Sequence, residues 1–265
     1  MEEIKNDKYW IRQQDNLEFM KELEDKSIDL IYGDILYGTK KKFKDYDDNL
    51  WKTPQKGTEW YKPRLIEMKR ILSDTGSIYL QCDQRLVHYL KVLMDEIFGI
   101  KNFRNDISWC YRSQGFNKKK WSEKHDHILF YTKSNDWVFN LEDVRETEIG
   151  ESTIKRWSKE IKEFGKIPSK KNGKIYWNSP YSPPRDWFNI NTLPQAHSER
   201  LDYDTQKPKA LLERIIKASS NEGDTVLDCF AGSHTTGEVA LELGRYYIGV
   251  DIGSKSFEIG KERLK

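Results

Sequence analysis

The sequence predicts an α/β fold built on a doubly wound, mostly parallel sheet. Short apolar runs alternate along the chain with stretches whose apolar residues recur at helical spacing. Such alternation is typical of parallel strands joined through helices that cover both faces of a sheet. Aromatic residues make up 13% of the 265 residues although 33% are charged, which indicates a packed core rather than a disordered chain.

The first half of the chain carries most of these alternating elements. The predicted elements are, in order, a helix from Asp15, a strand at 28–32, a helix from Pro63, a strand at 77–81, a helix at 86–97 and strands near 107–111 and 127–131. Leu86, Leu90 and Leu93 show the spacing on which the helices are predicted. The pattern stops after Lys133.

Residues 134–202 interrupt the alternation. They are rich in charge, Trp, Pro and Asn and have little periodicity, and about 70 residues is long for a loop. We therefore expect an inserted subdomain here, with residues 1–133 and 203–265 forming the main domain. Order returns with a helix from Pro208, whose apolar residues lie on one face.

The segment Asp228–Gly237 is the most informative part of the chain. It follows an apolar strand, precedes an amphipathic helix, and is succeeded by the apolar run Tyr246–Val250, which ends on Asp251. A small-residue turn allows close backbone approach to an adenosyl group, and the later acid can accept hydrogen bonds from ribose hydroxyls. The turn lacks both the dinucleotide-binding glycine pattern and the Gly-Lys-Ser/Thr of triphosphate sites. An adenosyl group without a pyrophosphate points to S-adenosylmethionine.

A second polar segment, Gly33–Gly38, follows the strand at 28–32. Ligands of such sheets bind beyond the carboxyl ends of the strands, so Asp34, the 228–233 turn and Asp251 are expected on one edge. A carboxylate and a backbone carbonyl that accept both hydrogens of a nucleobase amine would direct its lone pair at a methyl donor. Tyr37 could stack on the extruded base.

Basic residues interleaved with aromatics suggest a nucleic-acid partner, although the net charge is only +2. Lys40, Lys41, Lys42 and Lys44 surround Phe43, and Lys118, Lys119 and Lys120 precede Trp121. A third cluster, Lys170, Lys171 and Lys174, precedes Tyr176 and Trp177. The alternative for each cluster is a solvated loop.

The composition also argues against several classes of protein. No apolar run reaches the roughly 18 residues that span a bilayer, and the first residues carry no apolar signal core. Cys82, Cys110 and Cys229 are scattered without metal-ligand spacing. We expect a reduced, cytoplasmic protein with no membrane partner and no metal.

Several motifs resemble those of the amino-group DNA methyltransferases of the β arrangement, in which the catalytic motif precedes the cofactor motif. Asp34–Tyr37 resembles Asp-Pro-Pro-Tyr, and Asp228–Thr236 resembles Asp-Pro-Phe-x-Gly-Ser-Gly-Thr-Thr. The tetrapeptide Thr205–Pro208 matches the motif upstream of the cofactor turn. The segments Gly76–Asp83 and Lys124–Lys133 resemble family segments in the same order.

The resemblance implies the fold of S-adenosylmethionine-dependent methyltransferases, with target recognition in the insertion at 134–202. It implies catalytic roles for Asp34 and Tyr37. The residues implied to bind the cofactor are Asp15, Thr205, Lys207, Asp228, Phe230, Ala231, Gly232, Ser233 and Asp251. For Asp15, capping of a helix is the equal alternative.

The implied reaction is methylation of the N6 amino group of a flipped-out adenine at a specific site in double-stranded DNA. The leading Asp of the catalytic motif favours adenine by resemblance, while N4 of cytosine stays open. A catalytically silent subunit also stays open, because Ile35 and Leu36 replace two prolines and His234 replaces a glycine. A homodimer and a cognate restriction endonuclease are further partners that the resemblance suggests.

Overall fold

The computed structural model describes residues 2–39, 48, 51–113, 115, 117–147, 151–164, 166–171, 174–178, 181–201 and 203–265. The predicted DNA-binding residues Lys40, Lys41, Lys42 and Lys44 therefore lie outside the described residues. The chain forms two compact units, one of Met1–Phe139 with Asp186–Lys265 and one of Asn140–Arg185.

The secondary structure alternates much as the sequence predicts. The strands are β1 (Glu3–Lys5), β2 (Tyr9–Gln13), β3 (Ile28–Asp34), β4 (Leu72–Cys82), β5 (Phe103–Cys110), β6 (His125–Thr132), β7 (Glu146–Thr147), β8 (Ile167–Lys171), β9 (Lys174–Asn178), β10 (Tyr181–Ser182), β11 (Trp187–Asn189), β12 (Thr225–Asp228) and β13 (Tyr246–Asp251). The helices are α1 (Asn16–Glu22), α2 (Pro54–Ile71), α3 (Val87–Phe98), α4 (Glu151–Arg156), α5 (Ser158–Phe164), α6 (Lys209–Ser219), α7 (Thr235–Glu242) and α8 (Ser254–Arg263). In the part of the chain that the structure describes, no helix is long and apolar enough to cross a membrane.

The larger unit is built on a nine-stranded sheet of order β1-β2-β13-β12-β3-β4-β6-β5-β11. The five neighbouring strands β2, β13, β12, β3 and β4 all run parallel. Strand β6 runs antiparallel to both β4 and β5, β1 runs antiparallel to β2, and β11 joins β5 in parallel. The doubly wound, mostly parallel sheet predicted from the sequence is thus confirmed, with antiparallel pairs toward its edges.

Two hydrophobic clusters cover the two faces of this sheet. Ile31 of β3 belongs to the cluster that includes apolar residues of α1, α2 and α3. Its neighbour Leu30 belongs to the cluster that includes apolar residues of α6, α7 and α8. Successive side chains of a strand point to opposite faces, so the alternation in β3 divides the core into two layers.

The structure corrects some predicted boundaries. Helix α2 begins at Pro54, not at Pro63, with Thr53 as its N-cap and Pro63 inside it. Pro63 cannot donate a backbone hydrogen bond, but the helix continues because residues such as Leu65 and Met68 are fully buried in the core. Strands β1 and β2 and helix α8 were not predicted.

The smaller unit contains two antiparallel strand pairs, β7 with β10 and β8 with β9, and the short helices α4 and α5. It spans fewer residues than the insertion expected at 134–202. The C-terminal boundary differs because β11 pairs with β5 in the main sheet, which assigns residues 186–202 to the larger unit.

Candidate active site

A pocket of about 370 Å³ opens at the carboxyl ends of β3, β12 and β13 in the larger unit. Asp228 at the end of β12 lies opposite Tyr32 of β3 and Gly249 of β13 in parallel register. Asp34, the turn at 230–233 and Asp251 consequently all line this one pocket. The expectation that the three polar segments share one edge of the sheet agrees with this geometry.

The turn after β12 is held together by Asp228. Its carboxylate accepts hydrogen bonds from the backbone N–H of Phe230 at 3.0 Å and from the hydroxyl of Thr236 at 2.5 Å. Gly232 has φ +47°, and a Cβ there would lie 3.2 Å from the ring of Tyr203. The left-handed conformation therefore favours glycine here, and a Cβ would fit only if the Tyr203 ring shifted.

Burial raises the pKa of Asp228 to about 7, and the nearby carboxylates of Asp34 and Asp251 add to that rise. The hydrogen bonds from Thr236 and Phe230 act in the opposite direction. Asp228 lines the pocket, and both its oxygens are engaged within the turn. Its contacts are those of a residue that shapes the turn.

His234 occupies the position at which the resembling motif has glycine. Its φ of 55° is left-handed, a conformation that His tolerates better than most residues. The buried ring lies 3.1 Å from the Tyr247 hydroxyl and 3.3 Å from the Ser256 hydroxyl, above Gly260. Burial lowers the pKa of His234 to about 3, so the imidazole is neutral. The side chain fills the core beside α8 and does not line the pocket.

Asp251 at the end of β13 closes the opposite side of the turn. Its carboxylate accepts hydrogen bonds from the N–H groups of Gly232 at 2.9 Å and Gly253 at 2.8 Å. Burial raises the pKa of Asp251. An ionised carboxylate has about four acceptor sites, so capacity is left for the hydroxyls of a ribose.

The N-terminus of α1 forms a third wall of the pocket. Asp15 caps the helix by accepting from the N–H groups of Leu17 and Glu18 and also pairs with Arg64 at 2.7 Å. Asp15 also lines the pocket, so one residue both caps the helix and forms part of the pocket wall. The next residue, Asn16, donates to the carbonyl of Cys229 at 2.8 Å and thereby ties the helix to the turn. Asn16 and Arg64 were not identified from the sequence.

Asp34 has two partners inside the pocket. The Tyr37 hydroxyl donates to Oδ1 at 2.8 Å, and Lys207 forms an ion pair with Oδ2. Lys207 also donates to the carbonyl of Thr205 at 3.1 Å, and Thr205 has φ 63°. Thr205, Gln206 and Lys207 therefore line the same pocket as Asp34 and the 230–233 turn.

Ile35 and Leu36 are fixed by contacts that the sequence does not reveal. The backbone N–H of Ile35 donates to the carbonyl of Gln81 at 3.2 Å, and its side chain is 3% exposed. The carbonyl of Leu36 accepts from the Tyr61 hydroxyl at 2.8 Å. These bonds restrain the backbone where the resembling motif relies on two prolines.

A second pocket, of about 460 Å³, adjoins the first and shares Tyr37, Thr205, Gln206 and Lys207 with it. Aromatic side chains and polar groups line it together, among them Trp109, Tyr111, His125, Asp126 and Arg200. Stackable rings beside hydrogen-bonding groups suit a nucleobase. Tyr37 stands between the two spaces.

The second predicted DNA-binding cluster lies in the loop between β5 and β6. Lys118, Lys119 and Lys120 are exposed, and Trp121 is 95% exposed. Asn117 braces the loop by accepting from the N–H groups of Lys119 at 2.9 Å and Lys120 at 3.2 Å. The loop thus presents Lys118, Lys119 and an aromatic ring to solvent, while the exposed Lys120 forms an ion pair with Glu123.

A family model described as DNA methylase, of the N6 and N4 types, matches residues 28–262. The chain belongs to this family. Membership confirms the recognition made from the motifs, and with it DNA methylation as the activity and S-adenosylmethionine as the cofactor. Solved neighbours with this fold hold S-adenosylmethionine.

Individual relatives cover most of the DNA methylase chain. The type II methyltransferase M.HpaI of Haemophilus parainfluenzae is 34% identical over 247 residues, which cover 92% of this chain and 70% of the relative. The DNA adenine methyltransferase YhdJ of Escherichia coli (strain K12) is 32% identical over 252 residues, which cover 94% and 80%. The solved PvuII DNA methyltransferase, which is cytosine-N4-specific, shares the fold with a TM-score of 0.69 at 17% identity, over 98% of this chain and 87% of that one.

The raised pKa of Asp228 predicts a pH-dependent stability of the ligand-free protein. Between pH 4 and 7 the folded state keeps a proton on Asp228 that the unfolded state loses, so stability falls as pH rises. The unfolding free energy of the wild type minus that of Asp228→Asn should fall across this window, by at most about 1.4 kcal/mol per pH unit. Urea denaturation at several pH values measures it, and a constant difference would contradict the prediction.

Proposed function

We propose that this DNA methylase modifies the N6 amino group of adenine at a specific site in double-stranded DNA, with the target base flipped out of the duplex. One observation carries the proposal: the carboxylate of Asp34 and the 230–233 turn line the same pocket. A base held at Asp34 and a methyl donor held at the turn would then be close enough to react.

The pocket residues fit S-adenosylmethionine. The turn Phe230–Ser233, in which Gly232 has no side chain, allows the backbone to approach the adenosyl group. Asp251 has acceptor capacity for the ribose, Asp15 lines the wall by α1, and Thr205 and Lys207 would hold the methionine part through its carboxylate. When bound, the cofactor supplies an electrophilic sulfonium methyl group.

The residues of the catalytic motif would prepare the target nitrogen. Asp34 and the backbone carbonyl of Ile35 would accept the two amino hydrogens, which makes the nitrogen lone pair available for attack. A nitrogen–carbon bond forms as the sulfur–carbon bond breaks, and the nitrogen then loses one proton to solvent. Tyr37 would stack on the extruded base from the side of the second pocket.

Adenine is favoured over cytosine because the catalytic motif begins with Asp and because one similar protein, YhdJ, is an adenine methyltransferase. The alternative acceptor is N4 of cytosine, the specificity named for the PvuII enzyme. The backbone restraints on Ile35 and Leu36 favour an active enzyme over a silent subunit. These hydrogen bonds fix the backbone conformation that two prolines would otherwise fix.

A transfer assay tests the activity and the role of Asp34 together. The wild type should transfer labelled methyl groups from S-adenosylmethionine to unmethylated double-stranded DNA. Asp34→Ala should lower transfer by at least about 10³-fold, because it removes the acceptor that prepares the nitrogen. Cofactor affinity, measured by calorimetry, should change little.

Asp106→Asn is a suitable control, because Asp106 pairs with His127 on the neighbouring strands β5 and β6 and does not line either pocket. This variant should transfer methyl groups like the wild type. Full transfer by Asp34→Ala would remove Asp34 from its proposed role.

Digestion of the labelled DNA to nucleosides identifies the modified base. We expect N6-methyladenine as the labelled nucleoside, because an Asp-led motif is proposed to hold the adenine amine. Chromatography against standards of both methylated bases separates the outcomes. Recovery of the label as N4-methylcytosine would establish the alternative acceptor instead.

The exposed cluster Lys118–Lys120 is proposed to contact DNA phosphates. Replacement of all three by Gln should weaken DNA binding about tenfold or more. The slope of the logarithm of the binding constant against the logarithm of the salt concentration should become shallower by up to about 0.9 for each lost phosphate contact. Fluorescence anisotropy at several salt concentrations measures both effects.

The matched control replaces Lys21, Lys217 and Lys265, which form ion pairs with nearby acidic residues in other parts of the larger unit. Equal losses in the two triple variants would show a general charge effect rather than a contact surface. Lys40, Lys41, Lys42 and Lys44 are proposed as a second contact surface on the sequence pattern alone.

Target recognition is proposed for the insertion expected at 134–202, whose centre is the smaller unit. Its length and its basic and aromatic composition support that role. A cytoplasmic location, a homodimer and a cognate restriction endonuclease are proposed by resemblance. Sedimentation of the purified protein with and without DNA tests the dimer.

A further inference from the structure

A buried carboxylate, Asp126 of β6, lines the second pocket beside Tyr37 and has no part in the mechanism above. It is 8% exposed. Its Oδ1 accepts from the Tyr111 hydroxyl at 3.1 Å, and its Oδ2 accepts from the side-chain amide of Gln81 at 3.0 Å. The Tyr37 hydroxyl lies 3.3 Å from the same Oδ2. Burying a carboxylate is costly, so a group held in this way calls for an explanation.

Tyr37 stands between two carboxylates but has only one hydroxyl proton. That proton is donated to Asp34 at 2.8 Å, the shorter of the two distances, and Asp126 is the second acceptor within reach. Burial and both carboxylates raise the pKa of Tyr37 well above its ordinary value, so the proton stays on the phenol. The hydroxyl can therefore turn from one carboxylate to the other without ionising.

Gln81 holds the oxygens of Tyr37 and Asp126 together. Its amide nitrogen donates to the Tyr37 oxygen at 3.2 Å as well as to Asp126. Its amide oxygen accepts from the buried Tyr32 hydroxyl at 2.8 Å, which fixes the orientation of the amide. The Tyr37 oxygen therefore keeps one donor in place whichever carboxylate receives its proton.

We infer that Asp126 is a positioning residue that accepts the Tyr37 hydroxyl proton when the amino group of the target base takes over Asp34. This inference rests on the proposed function. A buried hydroxyl left without an acceptor is destabilising, so without Asp126 the Tyr37 hydroxyl would compete with the base for Asp34. With Asp126 present, Oδ1 of Asp34 is released for the amino group while Lys207 stays paired with Oδ2, and the Tyr37 ring keeps its orientation beside the base.

A double-mutant cycle tests this role through methyl transfer. Asp126→Asn should lower kcat about tenfold and leave the affinity for S-adenosylmethionine unchanged, because the amide offers one acceptor oxygen where the carboxylate offers two. In a Tyr37→Phe background the same change should have less than about a twofold effect, because the hydroxyl that Asp126 serves is absent.

Asp106→Asn again serves as the control of matched chemistry and should leave kcat at the wild-type level. Thermal unfolding of every variant is measured alongside, and Asp126→Ser is prepared so that misfolding of one variant does not decide the result. A purely structural role would reduce activity equally with and without the Tyr37 hydroxyl.

The outcomes separate the inference from the function beneath it. An active wild type with equal effects of Asp126→Asn in both backgrounds, or with no effect in either, would overturn the inference alone. A wild type that transfers no methyl group to DNA would overturn the proposed function and this inference with it. Loss of the Asp126 effect in the Phe background establishes the positioning role.

Discussion

The parallel pairing of β12 with β3 on one side and β13 on the other is the constraint on which the site depends. Parallel neighbours end at the same edge, so residues far apart in the chain meet there. Asp34, the turn after Asp228 and Asp251 are brought into one pocket by this register and by nothing local. The hydrogen bond from Gly232 to Asp251 then joins the ends of β12 and β13 directly.

Features that depend on neighbouring residues were predictable from the sequence. The apolar run, the small-residue turn and the acid at 225–251 indicated the edge of the sheet at which the pocket lies, because each is a local pattern. The first half of α2 was missed because residues 54–62 carry few apolar side chains and are followed by Pro63. The polar network of Gln81, Tyr111 and Asp126 could not be predicted, since its hydrogen bonds connect β4, β6 and the residue that follows β5.

The departures from the resembling motifs are compensated by tertiary contacts. His234 accepts the left-handed conformation, and its ring is accommodated only because α8 has Gly260 beneath it. Ile35 and Leu36 are restrained through Gln81 and Tyr61, which belong to β4 and α2. The motifs alone show one glycine and two prolines replaced. The fold supplies room for the His234 ring and restrains the backbone at Ile35 and Leu36 through elements far away in the sequence.

The charges that line the pocket are suited to a cationic methyl donor. Five aspartates line the pocket, namely Asp15, Asp34, Asp48, Asp228 and Asp251, and Lys207 is the one lysine among the described residues that does so. Burial raises the pKa of Asp228, and the negative charges of Asp34 and Asp251 add to that rise. A sulfonium bound among these carboxylates would relieve their mutual repulsion, and that relief would end once the sulfur is neutral. Because several carboxylates share this effect, the pocket would favour binding of the donor over retention of its product even after the loss of one of them, such as Asp34.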